Sequence, residues 1–429
     1  MKTKIETIIG RRVWDSRGYP TIEAEVHLAG GAVGRAIAPA GKSTGANEAL
    51  DLRDGLSGIE AYGVSRAVAN VNVEIANHLR GADAGDQYSV DKALIELDGT
   101  PGKSRLGANA MVAVSMATAH AAAAAHGVPV FRYLAGDGKV TLPLPEIQIF
   151  GGGAHAGRRV DVQDFMIVAL SAKSFAEALQ LTAAVYFEAG KLMVEAGKLA
   201  GVADEGGYWP DFSSNEEALE FLVRAIERAG FVPGTDAGIS LDIAASQFFR
   251  SGRYHLGLDG RELDSDALSE VFLKWLDRFP IVSIEDPLAE QDSEGLRKFT
   301  AAAKGRVQIV ADDFVVTNAA RIKAAAEAGA CNTALIKPNQ AGTLTETRAA
   351  LEAAKAAGWS TIVSARSGET EDTTIVHLAT GWNAGQLKVG SFARSERMAK
   401  WNEGLRIEQM LGSKAIFAGA HVLAGYKKR

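Results

Sequence analysis

In the second half of the chain, short apolar runs recur at near-regular spacing, and four of them end in a residue that can hold a metal or move a proton. They read ISLD ending at Asp242, IVSIE at Glu285, QIVAD at Asp312 and TALIK at Lys337. Each has the length and β-branched content of a buried strand. Strand-like runs fall at about 237–242, 281–285, 307–312, 333–337, 361–364 and 386–389, and helical stretches such as TLTETRAALEAAKAAG at 343–358 separate most of them. From Glu285 onward the repeat is about 25 residues, close to one strand–helix unit of a TIM-type (β/α)8 barrel. In such a barrel the C-terminal ends of the parallel strands meet at one mouth. Asp and Lys are poor strand residues, so their place at the run ends asks for a reason. The mouth predicted here holds three carboxylates and one ammonium.

The first third reads differently. Residues 21–28 (TIEAEVHL) alternate as a half-exposed strand does, Gly30 and Gly31 turn the chain, and AVGRAIA returns as a second strand. Helical patterns follow at roughly 57–80, 89–98 and 105–126. Strands followed by helices, without βα alternation, indicate an α+β domain. A linker is expected at 142–145 (LPLP). The expected organisation is thus α/β overall: an N-terminal α+β capping domain over 1–130 and a C-terminal barrel domain over 140–429. QDFMIVA (163–169) and GVADEGG (201–207) are expected to end the barrel's opening strands, and a helix at 394–411 to pack outside. A chain of 429 residues is too long for one ordinary core, which agrees with two domains.

Apolar residues make up 47% and charged residues 23%, a globular balance. A net charge of −6 argues against nucleic acid as a main partner. Cys331 is the only cysteine, so no internal disulfide can form, and a reducing, cytoplasmic setting is expected. The opening MKTKIETIIGRRVWDSRG lacks the long apolar core of a signal peptide. The Ala-rich stretch 117–125 is too short to span a membrane and is interrupted by His120, so no membrane partner is expected.

Asp242, Glu285 and Asp312 offer hard, anionic oxygens, which suit Mg2+. A single strand-end acid is usually paired with a loop cation; three on successive strands followed by a lysine call for another explanation. Beside a cation the Lys337 ammonium is disfavoured, so its pKa is expected to fall toward neutrality and make it a general base. Metal plus lysine points to proton abstraction α to a carboxylate.

The motifs DSRGYPTIEAEV (15–26), GGGAHAG (151–157), QDFMI (163–167), DEGG (204–207), LDIAAS (241–246), SIEDPLAEQD (283–292), IKPNQAGTLTET (336–347), SARSGETED (364–372) and RSER (394–397) closely resemble the enolase family, in order and over nearly the whole chain. The resemblance implies a capped eight-stranded barrel and a Mg2+-dependent lyase interconverting 2-phosphoglycerate and phosphoenolpyruvate, usually a homodimer. It makes Asp242, Glu285 and Asp312 ligands of a first Mg2+. Ser43, in the mobile loop PAGKSTG (39–45), becomes a ligand of a second, substrate-dependent one. Lys337 matches the base at C2, and Glu205 the acid that helps the β-hydroxyl leave. Lys388 matches the lysine facing the substrate carboxylate, and Arg366 with Ser367 the phosphate-binding pair. His155 matches the histidine of a second mobile loop, and Gln163 a glutamine beside the first metal. Arg11, Arg17 and Glu396 are candidates for pairs across a dimer interface.

Departures from the family pattern gather at the substrate end. Ala365 stands where a histidine is usual, Asp164 replaces a glutamate in the acid relay, Lys42 replaces an alanine, Ala40 a serine, and Tyr19 an asparagine. Ala365 opens volume and removes a proton donor, and Lys42 adds positive charge on the loop expected to cover the phosphate. These changes suit an extra anionic group on the substrate, as in carboxyphosphonoenolpyruvate synthases, the specialised relatives in phosphonate metabolism. The substrate expected is therefore a small phosphorylated or phosphonylated carboxylic acid. A non-catalytic binding protein on the same fold is the reading from another class, and intact metal ligands argue against it. AIAPAGKST (36–44) lacks the first glycine of a P-loop, and GGGAHA (151–156) lacks the acidic residue of a dinucleotide site, so neither is read as a nucleotide motif.

Overall fold

The alternating segment near the N-terminus forms an antiparallel sheet. The computed structural model describes residues 2–42 and 44–426. In it, strands β1 (Ile5–Trp14), β2 (Pro20–Leu28) and β3 (Val33–Ile37) lie in that order. One face, carrying Ile22, Ala24, Val26 and Ala36, is buried and receives helix α1 (Ala108–Ala125). A Cβ at Gly34 would stand 2.2 Å from the Ala117 carbonyl oxygen. The glycine and the alanine-rich helix face are therefore one device: both surfaces are small so that helix and sheet can approach closely. The 18 residues of α1 are long and apolar enough to cross a membrane, yet 83% of the helix is buried inside the protein. The helix expected over 57–80 is split into a 3₁₀ turn, Gly58–Tyr62, and a helical stretch from Ser65 to Leu79 with a π turn in it; the next runs Gln87–Asp98.

Eight strands close a barrel: β4 (Leu144–Gly151), β5 (Asp164–Ala169), β6 (Ala237–Asp242), β7 (Ile281–Glu285), β8 (Gln308–Ala311), β9 (Thr333–Ile336), β10 (Ser360–Ser364) and β11 (Gly385–Gly390). The ring closes where β11 pairs with β4, Leu387 opposite Pro145 and Lys388 opposite Glu146. The LPLP segment is thus not purely a linker, since Leu144 and Pro145 open β4. Proline is tolerated there because it falls at the start of a strand.

Two expectations about the opening strands are corrected. β5 runs antiparallel to both neighbours, so Asp164 reaches the mouth from the start of its strand rather than from the end. The connection 152–163 holds only one short 3₁₀ turn, Gly153–Ala156, and a parallel return would need a crossover helix there. GVADEGG is not part of the wall. Leu199–Val202 and Tyr208–Pro210 form a small hairpin attached to β4 through the pair Phe150–Tyr208, which hangs Asp204 and Glu205 over the mouth. Helix α2 (Phe175–Glu195) lies outside the barrel, and helix α3 (Ser395–Leu411) packs on it as expected. Gly404 makes room: a Cβ there would lie 2.4 Å from the Phe175 ring.

Candidate active site at the barrel mouth

The wall places the predicted residues on one rim. Asp242 and Glu285 end β6 and β7 and are register partners, while Asp164 is the partner of Asp242 on the other side. Asp312 and Lys337 follow β8 and β9 directly, Ala365, Arg366 and Ser367 follow β10, and Lys388 lies in β11. His155, Gln163, Asp164, Glu205, Asp242, Lys337, Ala365, Arg366, Ser367 and Lys388 line a single small cavity of about 20 Å³. Glu285 and Asp312 join it through lysines. The Lys388 ammonium donates to Asp242 at 2.8 Å and to Glu285 at 2.9 Å, and lies 3.7 Å from Asp164. The Lys337 ammonium donates to Asp312.

Burial in this acidic setting sets the protonation states. Burial pushes the Glu285 carboxyl well up, and the Asp242 charge adds to it. Burial likewise raises Glu205, with Asp164 adding and His155 opposing. Asp164 goes the other way: burial, which raises its pKa, is outweighed by the close His155 ring and by the Lys388 charge, which lower it. The His155 Nδ1 stands 3.5 Å from Asp164 and 4.0 Å from Glu205, and these acids raise its pKa against burial. The two neighbouring acids are therefore pushed apart, Glu205 toward the neutral form and Asp164 toward the anion. Lys337 differs from expectation. Burial lowers its pKa, but the ion pair with Asp312 outweighs this and raises it.

Among the described residues, two sets bring three donor atoms within 4.8 Å of one another: His155–Asp164–Glu205 and Asp286–Asp312–Asp313. Asp242, Glu285 and Asp312 are not such a set, because Lys388 and Lys337 are drawn in among them. Their chemistry nevertheless fits a hard divalent cation: all three are buried carboxylates, and Glu285 Oε1 has no hydrogen-bond partner. Gln163 donates to Asp242 at 2.9 Å, which agrees with its expected place beside these acids. Ser43 lies outside the described residues.

The cap completes the mouth. Ala40 and Gly368 exchange two backbone hydrogen bonds of 2.9 Å, which ties the loop 39–45 to the loop after β10. Glu48 accepts from both terminal nitrogens of Arg366, at 2.8 and 3.2 Å. Arg17 donates to Ser367 Oγ at 3.2 Å and holds Asp15 at 2.9 Å, so it is engaged within its own chain. Arg11 likewise pairs with Glu25, and Glu396 lies beside Arg397. Lys42 pairs with Asp204 at 2.8 Å, next to Glu205. Outside this clasp an open chamber of about 980 Å³ is lined by Arg17, Tyr19, Lys42, Arg53, Asp204 and Arg394 among others.

Three supporting residues hold the site: Gln148 lies outside the sequence motifs, while Gln340 and Arg397 lie within IKPNQAGTLTET and RSER without a role read from them. Gln148 on β4 donates to Asp164 and accepts from the Gly207 N–H at 2.8 Å, joining the barrel wall to the Glu205 loop. Gln340 donates to Asp312 at 2.9 Å and also reaches Glu48 at 3.3 Å. Arg397 is fully buried and donates to the backbone carbonyls of Arg366, Val389 and Ser367 at 2.7, 2.9 and 2.6 Å.

The site is thus a rim of buried carboxylates and lysines at the mouth of a closed barrel, covered by a small α+β cap, the architecture of the enolase superfamily, whose enolase domains, matched here, support a lyase-like function. Residues 139–425 match the family model described as the enolase C-terminal TIM barrel domain, and residues 5–134 match the enolase N-terminal domain. The chain belongs to the enolase family.

Proposed function

We propose that the protein is a Mg2+-dependent carbon–oxygen lyase that removes water from a 2-phosphoglycerate-like acid. The observation that carries this reading is that one cavity is lined both by Lys337, which pairs with Asp312, and by Glu205, Asp164 and His155, which gather around one another. Elimination needs a base and an acid held apart on opposite sides of the substrate.

Lys388 is assigned to orient the substrate carboxylate, its ammonium fixed by Asp242 and Glu285. Arg366 and Ser367 are assigned to the phosphoryl group, with Asn339 and Glu48 holding the guanidinium. Lys337 takes the proton from C2 once its ammonium has released one and its pairing with Asp312 has opened. The electron pair left at C2 forms the C2=C3 bond as the C3–O bond breaks, and the departing hydroxyl takes a proton from Glu205. The raised pKa of Glu205 keeps that proton available, and Asp164 holds His155 as the neighbouring cation. Asp242, Glu285 and Asp312 would hold Mg2+, with Ser43 assigned to a second site, and the ion would supply positive charge beside the substrate carboxylate. The reading also takes in a cap over 1–130 and a barrel over 140–429, a cytoplasmic setting and a homodimer.

A second reading keeps the proton abstraction and changes the substrate, as in carboxyphosphonoenolpyruvate synthases. Buried Ala365 leaves the loop after β10 without an imidazole, so His155 is the one imidazole among the described residues lining the cavity, and the outer chamber gives room beyond Ser367, with Arg17 reaching between the two spaces. A carboxylate attached at the phosphorus end would meet that arginine. A binding protein without turnover is the remaining alternative.

The test is formation of the enol phosphate from 2-phosphoglycerate with Mg2+, followed in the ultraviolet, for wild type and Ala365→His. Turnover by wild type at the rate of Ala365→His or better supports the ordinary substrate. Turnover that appears only in Ala365→His supports the altered one. No turnover by either, in protein that binds Mg2+, removes the ordinary substrate and leaves phosphonylated acids and a binding role to be separated by exchange of the C2 proton.

A further inference from the structure

Beneath the reacting groups the barrel interior holds one more ionisable side chain, Glu146 on β4, that none of the assigned roles uses. It is 1% exposed. Its Oε2 accepts a 3.0 Å hydrogen bond from Ser240 Oγ, and its Oε1 has no partner. Ser240 precedes Asp242 by two residues on β6, so both project to the same face, and the Glu146–Ser240 pair lies one layer deeper than the Asp242–Lys388 pair. In register, Glu146 is directly across from Lys388 where the barrel closes. A buried carboxyl with one oxygen unsatisfied is an expensive occupant of a barrel layer that branched apolar residues ordinarily fill. Burial raises its pKa to about 7, and the Lys388 charge opposes that rise. Its presence is explained if a positive charge needs a partner at that depth.

Lys388 is that charge. Its hydrogen-bond acceptors are Asp242 and Glu285, the same acids assigned to the divalent cation. Oxygens that coordinate a cation are weaker partners for an ammonium, and the ion itself repels it. We propose that Glu146 is a positioning residue: it is the deep counter-charge that keeps the Lys388 ammonium in place when Asp242 and Glu285 turn to a divalent cation. The inference rests on those two acids being the ligands.

The experiment is calorimetric titration of the full-length protein with Mn2+, for wild type, Glu146→Gln, Lys388→Met and the double variant. Glu146→Gln keeps the volume and an oxygen for Ser240 but removes the charge. One charge at several ångströms in a protein interior predicts Mn2+ binding weakened about tenfold or more. In the Lys388→Met background the same change is expected to alter affinity less than about twofold, since the partner is gone. Glu146→Asp, which restores the charge, is expected to bind within about threefold of wild type. It also replaces the amide variant's information should Glu146→Gln not fold, by comparison with Glu146→Ala. Equal Mn2+ affinity in wild type and Glu146→Gln, or an equal loss in both backgrounds, overturns the inference and leaves the ligand assignment standing. Wild-type protein that takes up no Mn2+, or uptake unchanged in Asp242→Asn with Glu285→Gln, overturns the ligand assignment and the inference with it.

Discussion

Replacing Arg397 by methionine removes the frame behind the proposed phosphate-binding pair while leaving every lining residue in place. The guanidinium is fully buried and ties three carbonyls from a loop and a strand: Arg366 and Ser367 after β10, and Val389 in β11. Hydrogen bonds from a charged donor contribute roughly 1.5–3 kcal/mol each, and the three carbonyls would stay buried without a donor. The contributions overlap, and the loop can relax, so we expect a loss of about 4 kcal/mol, as for breaking one side of a buried charged network. For a unit the size of this barrel that corresponds to a melting temperature roughly 8 °C lower. Hydrogen exchange locates the effect. Amides at 365–370 should exchange much faster, while those of β1–β3 should not change. Arg397→Lys should recover only part of the stability, because one ammonium cannot span both the loop and β11. A melting shift under about 2 °C, or faster exchange spread evenly over the barrel, would refute the reasoning.

Two further predictions use other parts of the molecule. Burial, with His120 close by, holds buried His377 down to about 4, below its unfolded value of about 6.5. Its contribution to stability is therefore complete above about 6.5 and is lost as pH falls toward 4, by up to ~3 kcal/mol. His377→Gln should flatten that part of the curve, and urea midpoints at pH 7.5 and 4.5 that differ as much in the variant as in wild type would count against it. Lys42→Met breaks the pair between the cap loop and Asp204. With 42% of the Lys42 side chain exposed, the change should cost less than about 1 kcal/mol of global stability. Limited proteolysis within 39–46 should nevertheless speed up several-fold at low salt, and an unchanged cleavage rate would show that Lys42 does not hold the loop.

What could be read from the sequence follows the reach of local signals. The later barrel strands were legible because β-branched runs and helical spacers repeat, and each run ends on a polar residue at the rim. The direction of β5 was not, since strand polarity leaves no mark in residue pattern; only the short 152–163 connection betrays it. DEGG could be recognised as a motif, but its place on a hairpin above the barrel depends on a single pairing, Phe150 with Tyr208. Lys42 could be seen as an added charge, yet its partner, Asp204, is distant in sequence, and only the fold brings the two together. Gln148, Gln340 and Glu48 are ordinary polar residues until the fold brings them to Asp164, Asp312 and Arg366. Lys337 illustrates a different limit. Its place was evident from the end of β9, but its ionisation depends on the pair with Asp312, which sequence spacing does not supply.

The central claim is that Lys337 takes the C2 proton and Glu205 serves the departing hydroxyl. Exchange of the C2 proton of 2-phosphoglycerate with deuterium from solvent, followed by proton NMR with Mg2+ present, separates these two events. Exchange is expected in wild type, exchange that persists in Glu205→Gln with elimination at least about a hundredfold slower, and no exchange in Lys337→Ala. Exchange that survives in Lys337→Ala, or that disappears in Glu205→Gln while Lys337 is intact, would contradict it.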